Sequence, residues 1–258
     1  MADNTKQDGL PANVLKLISS KRWRLLKAYI FFNKSKYSKQ RLDPSRARHQ
    51  SMRQILRHAC KFRPPLSIVE YLHKAYPNAV FECDGELNYP LHIACAYGCD
   101  PEVIEYLVKQ NRNAAVKLNF KDRNPYLLAC KCYLKKRSDN CKAANMELFE
   151  IMQTLYSAAP ASPMQRDCNG KSPLEYIIET EADVLLLKFT QWINVRYHKE
   201  TQRSCRTIMQ NNKHLNFEEL SSKKNYVLPQ NMPAISASSH HLKDELNIWD
   251  QNISTHSV

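Results

Sequence analysis

Glycine is scarce in this chain, with four in 258 residues. Most turns must therefore be built from Asn, Asp or looser loops, because glycine is the residue that enters left-handed backbone without a steric cost. Long apolar runs are missing as well. The longest span about five residues, as at Ala28 to Phe32, far short of the roughly 20 that a membrane helix needs. The opening residues MADNTKQDG hold no apolar stretch, which argues against a secretory signal. Neither Gly-x-Ser-x-Gly, nor a glycine-rich phosphate loop, nor His-Glu-x-x-His occurs. No catalytic site and no cofactor are expected. Acidic residues are nearly absent at one end. Met1 to Arg63 carry 16 Lys or Arg against 3 Asp or Glu, whereas the remainder carries 22 of each sign. The whole excess of +13 belongs to the N-terminal part.

What the chain does have is a repeated pattern. Residues 90–116, PLHIACAYGCDPEVIEYLVKQNRNAAV, hold two short amphipathic segments around a Gly-Cys-Asp-Pro break. Leu91, Ile93, Ala94 and Cys95 mark the first segment, and Val103, Ile104, Leu107 and Val108 the second. Helical spacing gives each one apolar stripe. Helices this short are marginal alone in water, so the unit needs copies as neighbours. The pair Ala94-Cys95 recurs 35 residues away on either side, as Ala59-Cys60 and Ala129-Cys130. At the same offset Ile68, Glu70, Tyr71, Leu72 and Lys74 match Val103, Glu105, Tyr106, Leu107 and Lys109. A fourth copy begins at Pro173, 48 residues after Pro125, so 13 extra residues lie within the third copy. Two helices per unit, copied at this interval, predict an all-α helical solenoid.

These residues resemble the ankyrin repeat, whose consensus places Asp-x-x-Gly-x-Thr-Pro-Leu-His before an Ala pair. Asp167 to Leu174 (DCNGKSPL) carry that opening, with Ser172 in the Thr position. Pro90-Leu91-His92 carry the helix start, and Gly98 the glycine after the first helix. Ile55 stands in place of the helix-opening Pro in the first clear copy, and Tyr89 and Asn124 in place of Thr. The resemblance implies right-stacked helix pairs joined by hairpins or loops. It also implies that His92 bridges neighbouring helix–loop junctions rather than serving catalysis.

The expected organisation follows. Residues 1–13 form a disordered N-terminus, with Asn13 as a candidate cap. Residues 14–49 form a degenerate, basic capping repeat and connection, because a terminal unit needs one polar face. Residues 50–197 hold the repeats, at about 50–84, 85–119, 120–166 and 167–197. The insertion 131–145 is read as a basic mobile loop. Residues 198–258 read as a largely disordered tail, rich in Asn, Ser, Gln and Lys, in which Leu242, Leu246 and Trp249 are spaced for a short docking helix. Asp84-Gly85 and Asn169-Gly170 are turn dipeptides.

Nine cysteines without a secretory signal point to free thiols in a reducing compartment, cytoplasmic or nuclear. His92-x-x-Cys95-x-x-x-Cys99, and Cys130-x-Cys132 with Cys141, bring metal ligands to mind. Structural zinc sites use two closely spaced ligand pairs, and Cys60, Cys95 and Cys130 share a repeat position as small core residues would. No metal is expected.

The resemblance places partner contacts on hairpin tips and on the exposed ends of the first helices. There the chain sets Arg53, Asn88, Arg123 and Lys171 two positions before each helix start, with Lys121 on a hairpin. After the small pairs come Lys61-Phe62, Ala96-Tyr97, Lys131-Cys132 and Glu179-Thr180. Six basic residues (Arg53, Lys61, Lys121, Arg123, Lys131, Lys171) face one acidic residue, and Phe62 and Tyr97 are aromatic anchors of the type that dominates interfaces. The expected function is that of a protein-binding scaffold for an acidic partner. The alternative is nucleic-acid or other polyanion association through Lys34, Lys36, Lys39, Arg41, Arg46, Arg48, Arg57 and Arg63, with Tyr37 and Phe62 available for stacking.

Overall fold

The structure, a computed structural model, describes residues 10–38, 52, 54–136, 141–179 and 184–211. Its helices are α1 (Ala12–Ser19), α2 (Trp23–Ser38), α3 (Ile55–Cys60), α4 (Leu66–Ala75), α5 (Pro90–Tyr97), α6 (Pro101–Gln110), α7 (Pro125–Lys136), α8 (Cys141–Ala158), α9 (Pro173–Glu179) and α10 (Val184–Asn211). No strand occurs among the described residues. Contacts divide the chain into two units, Met1–Ala182 and Asp183–Val258.

Within the first unit the helices pack in two rows. One row runs α1, α3, α5, α7, α9, and the other α2, α4, α6, α8, each helix touching its neighbour in the row. Successive pairs α1–α2, α3–α4, α5–α6 and α7–α8 tie the rows together. This is the stacking that short one-faced helices require. The small pairs sit at its centre: Ala59, Cys60, Ala94, Cys95, Ala129 and Cys130 are all buried. The second row buries Ile68, Val69 and Leu72, then Val103, Ile104, Leu107 and Val108, then Ile151, Met152, Leu155 and Tyr156. Each Leu or Ile side chain so removed from water stabilises the array by about 1.5–3 kcal/mol.

Local signals set the helix ends. Proline opens α5, α6, α7 and α9, where its fixed φ suits a helix and its missing N–H has no partner to lose. Asn124 caps α7, its Oδ1 accepting the Leu127 N–H at 2.9 Å. Ser172 and Glu175 form a reciprocal capping box at α9, with Ser172 Oγ donating to Glu175 at 2.8 Å and accepting the Glu175 N–H at 3.3 Å. Gly98 ends α5 at φ +65°. Arg63, one repeat earlier in the same register, adopts φ +54°.

Short three-ten turns follow α4, α6 and α8, at Pro77–Val80, Arg112–Ala115 and Ser162–Met164. They are bonded sideways. Asn111 Nδ2 donates to the Val80 carbonyl at 2.9 Å, and Ser162 Oγ to the Ala115 carbonyl at 3.1 Å.

Three details differ from the sequence expectations. The described part of the insertion lengthens helices instead of forming a loop, with residues 137–140 outside the described residues. α7 has 12 residues and α8 has 18, against 8 and 10 in α5 and α6. Lys, Ala and Leu in this stretch are good helix formers, and α7 and α8 pack against each other. The first helix starts two residues earlier than a cap at Asn13 allows, with Pro11 at the cap position. Finally, α10 continues to Asn211, so a tail boundary at 198 falls inside a helix. Its i,i+4 pair Arg196–Glu200 at 3.0 Å supports the continuation, and Arg196 also lies 5.0 Å from the Trp192 ring. Residues 1–9 and 212–258, with Leu242, Leu246 and Trp249, lie outside the described residues.

Candidate partner-binding face

Three hairpin loops precede α5, α7 and α9, and all are nucleated in one way. Asp84, Asn119 and Asp167 each use a side-chain oxygen to accept the backbone N–H groups two and four residues on, at 2.8–3.1 Å. Each loop is closed by a backbone bond between that residue and the one four positions later. The residue three positions on takes left-handed backbone: Leu87 at +61°, Asp122 at +52°, Gly170 at +77°. Asn169-Gly170 is thus a turn with its glycine where φ demands one. At Asp84-Gly85 the demand falls instead on Leu87.

Neighbouring hairpins are stitched together. The Phe120 N–H donates to the Glu86 carbonyl at 3.0 Å, and the Cys168 N–H to the Lys121 carbonyl at 3.1 Å. At the first junction Asn119 Nδ2 donates to Asn88 Oδ1 at 2.8 Å, and Asn88 Nδ2 donates to Asp84 at 3.2 Å. At the second, the same register holds an ion pair. Arg123 Nε and Nη2 donate to Asp167 Oδ2 at 3.2 and 3.1 Å, and the Tyr176 hydroxyl donates to that oxygen at 2.8 Å. The Asp167 side chain is wholly buried and that of Arg123 is 12% exposed. Burial would raise the Asp167 pKa, but the bonds from Tyr176, from the Asn169 and Lys171 backbone and from Arg123 outweigh it and hold the carboxyl below its usual range. Tyr176 moves up, through burial and its bond to Asp167.

Around the Tyr176 ring two ammonium groups converge, Lys131 Nζ at 5.5 Å and Lys171 Nζ at 5.6 Å from the centroid. Lys171 Nζ is also 2.5 Å from Glu179 Oε1. The structure therefore gathers Arg123, Lys131 and Lys171 into one constellation. Lys61 and Phe62 are half-buried just past α3, Tyr97 is exposed at the end of α5, and Lys121 is exposed on the second hairpin. Asn88 is buried and holds hairpins together, so it presents little to a partner. Arg123 is likewise committed to Asp167. Arg53 lies outside the described residues.

Most of the alternative basic set falls outside what the structure describes. Lys39, Arg41, Arg46 and Arg48 lie outside the described residues, and only the helical backbone of Lys34 and Lys36 is described. Arg57 is buried at 4% exposure and offers no contact to a polyanion. It sits in the register of buried His92, on the side of the helix that faces the stack. Arg63 is exposed and lies 3.6 Å from Asp100.

His92 is fully buried and its Nε2–H donates to the Lys117 carbonyl at 3.0 Å, joining α5 to the next loop. Burial lowers its pKa to about 4, against the bond to Lys117 and the Asp84 charge, which work the other way. The thiols of Cys60 and Cys95 are pushed up, Cys60 by its bond to Cys99 and by burial, Cys95 by burial, and are inert as nucleophiles. Among the described residues no cluster of His, Cys, Asp and Glu is arranged to hold a metal, and no helix is long and apolar enough to cross a membrane.

Tyr176 is the functional candidate that sequence reasoning missed. It occupies the register of Ile93 and Leu128 in the preceding copies, so a polar aromatic at an apolar repeat position was the available signal.

Two rows of short helices with hydrogen-bonded hairpins along one edge define a helical-repeat binding module. The ankyrin-repeat family model matches residues 86–117, which span the first hairpin tip, α5 and α6. That match identifies one ankyrin repeat, and the helix pairs on either side of it stack in the same two rows; ankyrin repeats typically mediate protein–protein interaction. No curated protein matches the chain.

Proposed function

We propose that the chain is a non-catalytic scaffold or adaptor that binds an acidic stretch of a protein partner along the hairpins and the ends of α3, α5, α7 and α9. The observation that carries this reading is the placement of Lys61, Lys121 and Lys171 on those hairpins and helix ends and of Lys131 within α7, with Phe62 and Tyr97 at the ends of α3 and α5. Aromatic contacts would supply affinity, while the lysines speed and orient encounter with a negative surface. Binding of a fluorescein-labelled acidic peptide to the full chain, followed by anisotropy, tests it. The triple variant Lys61→Glu, Lys121→Glu, Lys171→Glu is expected to lose at least tenfold in affinity. Unchanged binding would remove the proposal.

The concentration of charge in residues 1–63 favours a second reading, polyanion association through Lys34, Lys36, Lys39, Arg41, Arg46, Arg48 and Arg63. Phosphate binding releases counterions, so it falls steeply with salt. Binding to a duplex or a single strand that does not weaken as salt rises would exclude it.

A further inference from the structure

The Tyr176 ring is held still by its hydroxyl bond to Asp167, which is itself saturated by Arg123 and two backbone amides. Two ammonium groups lie against that fixed ring, at 5.5 and 5.6 Å from its centroid. Like charges at one ring repel, and the attraction of a ring face for each cation is modest, about 0.5–2 kcal/mol. A carboxylate between them relieves the repulsion. The chain supplies one of its own: Glu179 touches Lys171, with both side chains more than 40% exposed. An ion pair so wet is worth at most about 1 kcal/mol, so an incoming carboxylate can exchange with it. Glu179 also stands one repeat beyond Lys131 in register, at the end of α9, where a partner lying along the row would pass.

We infer that Lys131, Tyr176 and Lys171 form a seat for a Glu or Asp side chain of the partner, and that Glu179 fills this seat in the free protein as an internal competitor. This deepens the proposed function and rests on it: it names the anchor point and adds a built-in brake on affinity.

The test uses the full chain and a fluorescein-labelled hexaglutamate peptide. Glu179→Gln should tighten binding about three- to fivefold, the size of one exposed ion pair. Asp122→Asn makes the same charge change on a hairpin of the same face and should leave affinity within twofold. In a Lys131→Gln/Lys171→Gln background, itself weaker than wild type, Glu179→Gln should gain nothing. These positions are exposed or half-exposed, and unchanged thermal unfolding confirms that the variants fold. A gain that persists in the double-lysine background, or that Asp122→Asn reproduces, means general electrostatics and overturns the seat. So does a Glu179→Gln variant that binds no more tightly than wild type. The broader reading is scored separately, by whether wild type binds the peptide and the Lys61/Lys121/Lys171 charge reversal abolishes it. A single-stranded oligonucleotide of equal charge that binds more tightly than the peptide, with the same lysine dependence, would assign the seat to phosphate and overturn the carboxylate claim.

Discussion

The two junctions between hairpins use one register and opposite chemistry. Asn88 and Asn119 meet as neutral amides, while one repeat on Arg123 and Asp167 meet as ions, with Tyr176 added. Both use the turn-nucleating residue of one hairpin as acceptor or donor for the neighbour, so each side chain closes its own loop and bonds the next. The neutral junction tolerates the loss of one partner, because an amide left behind costs only its desolvation, about 1–3 kcal/mol. The ionic junction does not. Removing one member of a buried pair strands the other charge at about 3–5 kcal/mol. The same geometry is thus cheap to break at one point of the stack and expensive at the next.

The largest expected effect follows from that contrast. Asp167→Ala should destabilise the array by about 3–5 kcal/mol in urea unfolding, because it strands the Arg123 guanidinium and opens the third hairpin. Asn88→Ala should cost about 1–3 kcal/mol. The comparison is sharpened by converting one junction into the other. Arg123→Asn with Asp167→Asn keeps the side-chain oxygen that nucleates the turn, as Asn119 does, and should recover most of the Asp167→Ala loss. If the double variant is no better than Asp167→Ala, the two junctions are not interchangeable.

Acid separates the two regions by pH window. His92, beside the first junction, is buried and its pKa falls to about 4. Its unfolded value is near 6.5, so its contribution is full above about pH 6.5 and is lost as pH falls towards 4, up to about 3 kcal/mol. Asp167 has a lowered carboxyl pKa, so its contribution is present above the ordinary carboxylate value and disappears only below about pH 4. Stability should therefore fall in two stages on acidification, the neutral junction's neighbourhood first. The next repeat carries buried Leu127 in the His92 register. His92→Leu should flatten unfolding free energy between pH 6.5 and 4 while leaving the lower stage intact. A persistent upper stage would mean that another group governs it.

How much of this was legible depended on the range of the interaction. The repeat interval, the small pairs and the prolines could be read from the sequence because they answer demands made inside each unit. The bridging role of His92 followed from the ankyrin resemblance. The junction pairs were harder, because Arg123 and Asp167 lie 44 residues apart. Their pairing was readable only by noticing that Arg replaces Asn88 in one register line while Asp replaces Asn119 in the other. Counting Arg123 among the partner-contact cations missed that swap, and counting Arg57 among the polyanion-binding cations missed that its register is a buried one. The insertion was located by offset, but offset carries no conformation. That its residues extend α7 and α8 depends on those two helices packing on each other, a contact that the offset does not show. The residues past 198 looked like tail because composition does not register i,i+4 pairs such as Arg196–Glu200.

The smallest effect concerns the hairpin tips, where the same backbone is imposed on different residues. Gly170 enters φ +77° freely, and a Cβ there would meet nothing within 4 Å, so its need for glycine is conformational alone. Leu87 adopts φ +61° with a branched side chain that is 44% exposed and gains little from burial. Left-handed backbone costs an L-residue about 1–2 kcal/mol, and glycine returns part of that through the greater freedom of its unfolded chain. Leu87→Gly is therefore expected to stabilise by about 0.5–1 kcal/mol, seen as a higher urea midpoint with unchanged slope. Gly170→Ala should move the other way by a similar amount. Arg63→Gly, which copies Gly98 into the preceding repeat, should resemble Leu87→Gly, less whatever the exposed contact with Asp100 contributes. If Leu87→Gly is destabilising instead, the leucine is held at the tip by a contact stronger than its strain, and the three hairpins are alike in hydrogen bonding but not in energy.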